Sequence, residues 1–132
     1  MPKTIIQTIN FNASPAKLFA LYADPKTHSA VTGGKVVISK KVGSPFKAFN
    51  GTLVGTTLGV IPNRVFVQAW RGGGWKSKDA DSLLVLNFEK NGKGSKVTMV
   101  HANIPDKHFR GIKSGWNTYY WRPWKRYLSK RG

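Results

Sequence analysis

Cysteine is absent from this sequence of 132 residues. Its absence excludes disulfide bonds, thiolate nucleophiles and zinc sites built on cysteine, and it agrees with a reducing compartment. Long apolar runs are missing as well. No segment has the length that a signal peptide needs at the N-terminus, and no part of the chain approaches a membrane span. We therefore expect a cytoplasmic protein without a membrane span.

Acidic residues are scarce. Five Asp and Glu residues stand against 22 Lys and Arg residues, which gives a formal net charge of +17. Two of the five, Asp24 and Asp106, lie at predicted helix starts, where the helix dipole favours negative charge. The histidines, His28, His101 and His108, have neither metal-ligand spacing nor an obvious carboxylate partner. We therefore expect no metal, no cofactor and a non-catalytic protein.

The excess of basic residues is densest at the end of the chain, where residues 105–132 hold eight bases and one acid. Arg122, Lys125, Arg126 and Lys130 are predicted to form a surface for a polyanion or a protein partner. At low salt this charge favours nonspecific binding to polyanions. The alternative interpretation is a solvated helix end, because cations are favoured near a helix C-terminus.

The elements that the sequence does contain indicate an α+β fold. Residues 4–11 are β-branched and predict a first strand, and Ser14-Pro15 and Asp24-Pro25 each pair an N-cap with a proline, which predicts two short helices. Turn residues then separate short apolar runs, and the short connections predict antiparallel neighbours in a sheet of six or seven strands. The remaining candidate strands are residues 36–41, 46–49, 52–60, 64–71, 82–90 and 96–104.

A long amphipathic helix is predicted at the C-terminus. At about 100° per residue its aromatic and apolar side chains share one arc. These residues are Phe109, Ile112, Trp116, Tyr119, Tyr120, Trp124 and Tyr127. Arg122, Lys125 and Arg126 lie on the opposite side, and Pro123 is expected to disrupt the helix, because proline removes one backbone hydrogen bond.

Four sequence motifs follow the first predicted strand and helix along the chain. They are Gly51-Thr-Leu-Val-Gly55, Arg64-Val-Phe-Val-Gln-Ala-Trp-Arg71, Val100-His-Ala-Asn-Ile-Pro105 and Gly115-Trp-Asn-Thr-Tyr-Tyr-Trp121. With the element order, they resemble the helix-grip fold of the START-like (SRPBCC) superfamily. Within it they resemble the C-terminal domain of activators of the heat-shock protein 90 ATPase and its stand-alone bacterial relatives. The resemblance implies one START-like domain over residues 1–132, with a cavity between the long helix and the sheet that holds an apolar small molecule.

The candidate cavity residues are Met99, His101, Trp116, Tyr120 and Trp124. Alternation along the last strand places Met99 and His101 on its core-facing side. His101 has two interpretations: a polar or acid–base group inside a cavity, or a hydrogen-bonded core histidine. The three helix aromatics either line a pocket or fill the core.

The first functional hypothesis is a non-catalytic binding domain for a small hydrophobic or aromatic ligand. The alternative is a co-chaperone-like interaction domain that stimulates heat-shock protein 90, or binds another acidic protein, through its basic face. A third is an enzyme of the cyclase or hydrolase type that uses His101.

Overall fold

The computed structural model describes residues 2–130. Six strands, two short helices and a long C-terminal helical segment follow one another along the chain. The strands are β1 (Lys3–Phe11), β2 (Pro45–Ala48), β3 (Leu53–Ile61), β4 (Val65–Arg71), β5 (Ser82–Asn91) and β6 (Gly94–Ile104). The helices are α1 (Pro15–Ala23), α2 (Pro25–Thr32), α3 (Phe109–Trp116) and α4 (Arg122–Lys130), with a 3-10 turn at Asp106–His108 and a π-helical turn at Asn117–Trp121.

The two short helices begin where the sequence predicts. The Ser14 hydroxyl accepts a hydrogen bond from the Lys17 amide at 3.2 Å and caps α1, and the Asp24 carboxylate accepts one from the Lys26 amide at 3.1 Å and caps α2. Each cap satisfies a helix N–H that has no partner within the helix. Gly33 ends α2 at a φ of 84°, which a residue with a Cβ rarely adopts.

The strands form one antiparallel sheet in the order β1-β6-β5-β4-β3-β2. The helix-grip α+β prediction is confirmed with six strands. The prediction of a separate strand at residues 36–41 was wrong. Within residues 2–130 this segment contributes a single isolated β-bridge, between Val37 and Lys47. The Thr57 hydroxyl donates a hydrogen bond of 3.0 Å to the Ser39 carbonyl. This side-chain bond takes the place of the backbone hydrogen bonds that a paired strand would form.

The concave face of the sheet holds the core. Val97, Met99 and His101 of β6 are fully buried on this face, as their alternation predicts. Trp70 of β4 is also buried and lies opposite Gly55 of β3. A Cβ at Gly55 would collide with a backbone carbonyl of β4, so the close approach of these strands requires glycine.

The C-terminal helical segment departs from a regular helix before Pro123. The π-helical turn ends two residues before this proline, and a π turn is one of the known ways to interrupt an α-helix locally. The wider turn shifts the phase of the residues that follow. As a result Tyr119, which we predict on the inward arc, is 52% exposed, whereas Trp121, outside that arc, is buried.

Trp121 anchors the helical segment to the sheet. Its Nε1 donates a hydrogen bond of 2.8 Å to the Gln7 side chain of β1, and its ring stacks on Trp116 with centroids 5.4 Å apart.

Across residues 2–130, no helix combines the length and the apolar character that crossing a membrane requires.

Candidate ligand cavity

A cavity of about 310 Å³ lies between the C-terminal helical segment and the β3–β4 side of the sheet. The wall is mostly aromatic and aliphatic, and among residues 2–130 no Asp, Glu, Lys, Arg or His side chain belongs to it. The lining residues are Phe49, Thr52, Leu53, Trp70, Gly111, Ile112, Gly115, Trp116, Tyr119 and Tyr120. Small-molecule sites of about 300–1,000 Å³ with apolar walls are typical of proteins, so the cavity has the size and chemistry of a small binding site.

Two glycines one helical turn apart leave the space open. Gly111 and Gly115 of α3 both line the cavity, and a Cβ added at Gly111 would meet no heavy atom within 4 Å. Residues four apart share one face of a helix. A bulkier pair at these positions would place side chains in the cavity, and no sequence pattern predicted this role for the two glycines.

The structure brings two of the five predicted cavity residues to this wall. Trp116 and Tyr120 line the cavity. Met99, His101 and Trp124 are fully buried but are not among its lining residues. Trp124 packs instead against Trp121, with ring centroids 5.3 Å apart, and belongs to the hydrophobic core.

His101 supports the wall from behind through a chain of hydrogen bonds. The Trp116 indole N–H donates to His101 Nδ1 at 3.1 Å. Because this nitrogen accepts, the proton of the neutral ring lies on Nε2, which donates to the Ser82 hydroxyl at 2.8 Å. The hydroxyl donates in turn to the Trp70 carbonyl at 2.6 Å. His101 therefore orients two wall residues, Trp116 and Trp70.

Burial lowers the pKa of His101 to about 3, so the ring is neutral at neutral pH. Both of its nitrogens are occupied by protein partners, and no carboxylate is among them. In this arrangement the ring has no free nitrogen to accept or deliver a proton to a reactant in the cavity. The geometry is that of the hydrogen-bonded core histidine.

His28 supports the second predicted wall residue, Tyr120. Its Nδ1 donates to the Tyr22 carbonyl at 2.8 Å, since a carbonyl can only accept, and its Nε2 accepts from the Tyr120 hydroxyl at 2.9 Å. Burial lowers the pKa of His28 to about 4 and raises the pKa of Tyr120. At neutral pH the His28 ring is therefore neutral and can accept at Nε2, and the Tyr120 hydroxyl keeps the proton that it donates. Sequence patterns predict no role for His28, because its partner Tyr120 is 92 residues away along the chain.

Three buried polar side-chain atoms have no hydrogen-bond partner in the part of the chain that the structure describes: Gln68 Nε2, Trp70 Nε1 and Trp124 Nε1. Gln68 is otherwise engaged, because its Oε1 accepts from the Tyr22 hydroxyl at 2.6 Å. Of the three, Trp70 is the residue that belongs to the cavity wall. Buried polar groups are usually paired, so each of these atoms is notable.

The predicted basic surface is exposed. Arg122, Lys125, Arg126 and Lys130 all lie on the solvent side of α4. Within residues 2–130 the ion pairs are Lys3–Asp106 and Arg71–Asp81, and neither involves these four residues. Lys125 also lines a concavity of about 660 Å³ together with Lys93, several Asn and Ser residues, Phe11 and Leu128. The surface therefore carries four like charges that the described acids do not neutralise.

The comparisons with known proteins agree with this architecture. The sequence model of a family described as "Activator of Hsp90 ATPase homolog 1-like protein" matches residues 12–129. A curated relative, the uncharacterized protein C1711.08 of Schizosaccharomyces pombe, is 23% identical over 121 residues, which are 92% of this chain and 36% of that protein. The chain thus spans about a third of the length of this relative.

Two solved structures share the fold. The crystal structure of PFC0360w, an HSP90 activator from Plasmodium falciparum, superposes with a TM-score of 0.88 at 22% identity and covers 96% of both chains. The solution structure of the Aha1 dimer from Colwellia psychrerythraea has a TM-score of 0.76 at 18% identity, with 88% of this chain and 89% of that chain covered. At these identities the likeness shows the fold.

Proposed function

This chain belongs to the family of Activator of Hsp90 ATPase homolog 1-like proteins, and we propose that it is a non-catalytic binding domain for a small hydrophobic or aromatic ligand. The observation that carries the proposal is the cavity of about 310 Å³ with its aromatic wall and its gap at Gly111 and Gly115. Burial of apolar ligand surface against this wall supplies the driving force.

The preorganisation of the wall supports the proposal. Trp116 is held by His101 and Tyr120 is held by His28, so both rings are oriented before any ligand arrives. Their centroids are 4.7 Å apart, in contact with one another. A wall that is already ordered loses little side-chain entropy on binding, which favours affinity.

The test fills the cavity from the helix. Gly111→Leu places a side chain where a Cβ meets no atom, whereas Ser114→Leu adds the same side chain at an exposed position of the same helix that does not line the cavity. Binding of mono- and bicyclic aromatic compounds, with 1-acetonaphthone as the reference probe, is measured by calorimetry and tryptophan fluorescence.

We expect Gly111→Leu to weaken binding at least about tenfold, which is about 1.4 kcal/mol, and Ser114→Leu to leave it unchanged. Equal binding by both variants would place the ligand elsewhere and refute the assignment of the cavity. Absence of binding by every probe to the unmodified protein would refute the function itself.

A second candidate function is stimulation of the Hsp90 ATPase, and a separate observation favours it. The structural relative from Plasmodium falciparum is an HSP90 activator, and the exposed bases of α4 offer charge complementarity to an acidic partner. Such charges mainly accelerate association and select the partner, and salt weakens their effect.

The test compares two charge reversals of equal size. Lys125→Glu with Arg126→Glu, and Lys40→Glu with Lys41→Glu as the control, each lower the net charge by four, from +17 to +13. If α4 contacts the chaperone, the first pair lowers ATPase stimulation and complex formation more than the control pair does. Equal losses would indicate nonspecific attraction, and no stimulation by the unmodified protein at low salt would refute this candidate.

A further inference from the structure

The loop between β2 and β3 holds Phe49 in an unusual backbone conformation. Phe49, Asn50 and Gly51 have successive φ angles of 52°, 58° and 90°. Glycine and asparagine adopt positive φ readily, whereas a bulky aromatic residue does so rarely and at a cost in free energy. Such outliers persist where the surrounding structure imposes them, and they concentrate at ligand sites and switch regions.

Packing against the C-terminal helical segment holds Phe49 in this conformation. Its ring meets Tyr119 edge to face, with centroids 5.3 Å apart and planes at 64°, and meets Tyr120 with centroids 6.2 Å apart. Gly34 leaves the necessary room, because a Cβ there would lie 3.2 Å from Cα and Cδ1 of Phe49. Aromatic pair contacts stabilise by about as much as such a backbone conformation costs. A second state, in which Phe49 leaves positive φ and the rings separate, is therefore close in free energy.

The Phe49–Tyr119 pair lies where the cavity meets solvent. Both residues line the cavity, Tyr119 is 52% exposed and Phe49 is partly exposed. They come from opposite sides of it, Phe49 from the loop that follows β2 and Tyr119 from the π-helical turn of the C-terminal segment. Contact between the two rings therefore narrows the opening, and their separation would widen it.

We propose that Phe49 and Tyr119 form an aromatic clasp that regulates access to the cavity. The clasp opens when Phe49 leaves positive φ, and it closes again over a bound hydrophobic or aromatic ligand. This inference rests on the proposed ligand-binding function. Because a ligand can enter or leave only while the rings are apart, the clasp slows association and dissociation together.

The experiment measures both rate constants of 1-acetonaphthone binding to the full chain by stopped-flow tryptophan fluorescence. Phe49→Asn removes one ring and keeps the turn, since asparagine tolerates positive φ, and Tyr119→Ala removes the other ring. The two changes are also combined in one double variant. The control is Leu53→Ala, which shortens another partly exposed lining side chain that takes no part in the ring contact.

We expect each aromatic variant to raise the association rate constant about two- to tenfold, the range that one aromatic contact contributes, and the dissociation rate constant at least as much. The double variant should associate no faster than either single variant, because both changes remove the same contact. Leu53→Ala should raise the dissociation rate constant alone.

Unchanged association in both aromatic variants, additive increases in the double variant, or an equal increase in Leu53→Ala would refute the clasp and leave the cavity function standing. Absence of probe binding to the unmodified protein would refute the cavity function and the clasp with it.

Discussion

Acidification should destabilise this protein well above the pH at which carboxylates titrate, because two buried histidines are neutral in the fold. Burial lowers the pKa of His28 to about 4 and that of His101 to about 3, whereas an unfolded histidine titrates near 6.5. Between these values the unfolded chain binds more protons than the folded one. The contribution of each histidine to stability is therefore fully present above about pH 6.5, and it is lost as the pH falls from there to about 4 for His28 and to about 3 for His101.

The magnitude follows from proton linkage. Between pH 7 and pH 5 each histidine costs about 2 kcal/mol in the free energy of unfolding, and the two together cost about 4 kcal/mol. A loss of this size is a large part of the stability of an ordinary domain.

The assay is urea unfolding at a series of pH values, with the ring signals of both histidines followed by NMR. In His28→Gln or His101→Gln the loss between pH 7 and pH 5 should fall to about 2 kcal/mol, because one linked proton is removed. The double variant should be nearly flat over this range. A change below about 1 kcal/mol in the unmodified protein, or ring signals that titrate near pH 6.5, would refute the reasoning.

Three further outcomes can be checked by urea unfolding. Gly55→Ala should destabilise the protein by more than about 2 kcal/mol, since its Cβ would collide with a backbone carbonyl that cannot move away; a smaller loss would show that β3 and β4 can separate. Gly111→Ala should stabilise it by about 0.5–1 kcal/mol, because its Cβ meets open space on a helix, and destabilisation would contradict the open cavity. Trp121→Phe should cost at least about 1 kcal/mol, since the Gln7 amide oxygen loses its donor, whereas Trp121→Phe in a Gln7→Leu background should cost less.

Several features of the fold could be predicted because they depend on residues a few positions apart. The caps Ser14 and Asp24 start α1 and α2, because the Ser14 hydroxyl accepts from the amide three residues further on and the Asp24 carboxylate accepts from the amide two residues further on. The alternation in β6 places Val97, Met99 and His101 on one face, because side chains in a strand point to opposite sides in turn. The resemblance to a known family then predicted how these elements are arranged, namely as a helix-grip fold.

The segment at residues 36–41 shows where this local reasoning stops. Its β-branched residues favour a strand, but a strand also needs a partner along its length, and pairing is a property of the whole sheet. Here the Thr57 side chain binds the Ser39 carbonyl instead.

The residues of the cavity depended on tertiary structure even more. Trp116 and Tyr120 were predictable as inward aromatics of the C-terminal helix. A constant angle of about 100° per residue cannot represent the π-helical turn, so Tyr119, which we predict on the inward arc, is exposed, and Trp121, which the arc omits, is buried.

From the sequence we could predict the helix caps, the buried face of β6, the basic side of the last helix and the order of the elements apart from residues 36–41, since these follow from local chemistry and periodicity. The folded chain was needed to show that His28 and His101 support the wall, that Gly111 and Gly115 leave it open, and that Trp70 holds an unpaired donor. Each of these depends on contacts or unoccupied space between residues far apart in the chain. Periodicity says which side of an element is buried, but it cannot say whether the buried space is filled.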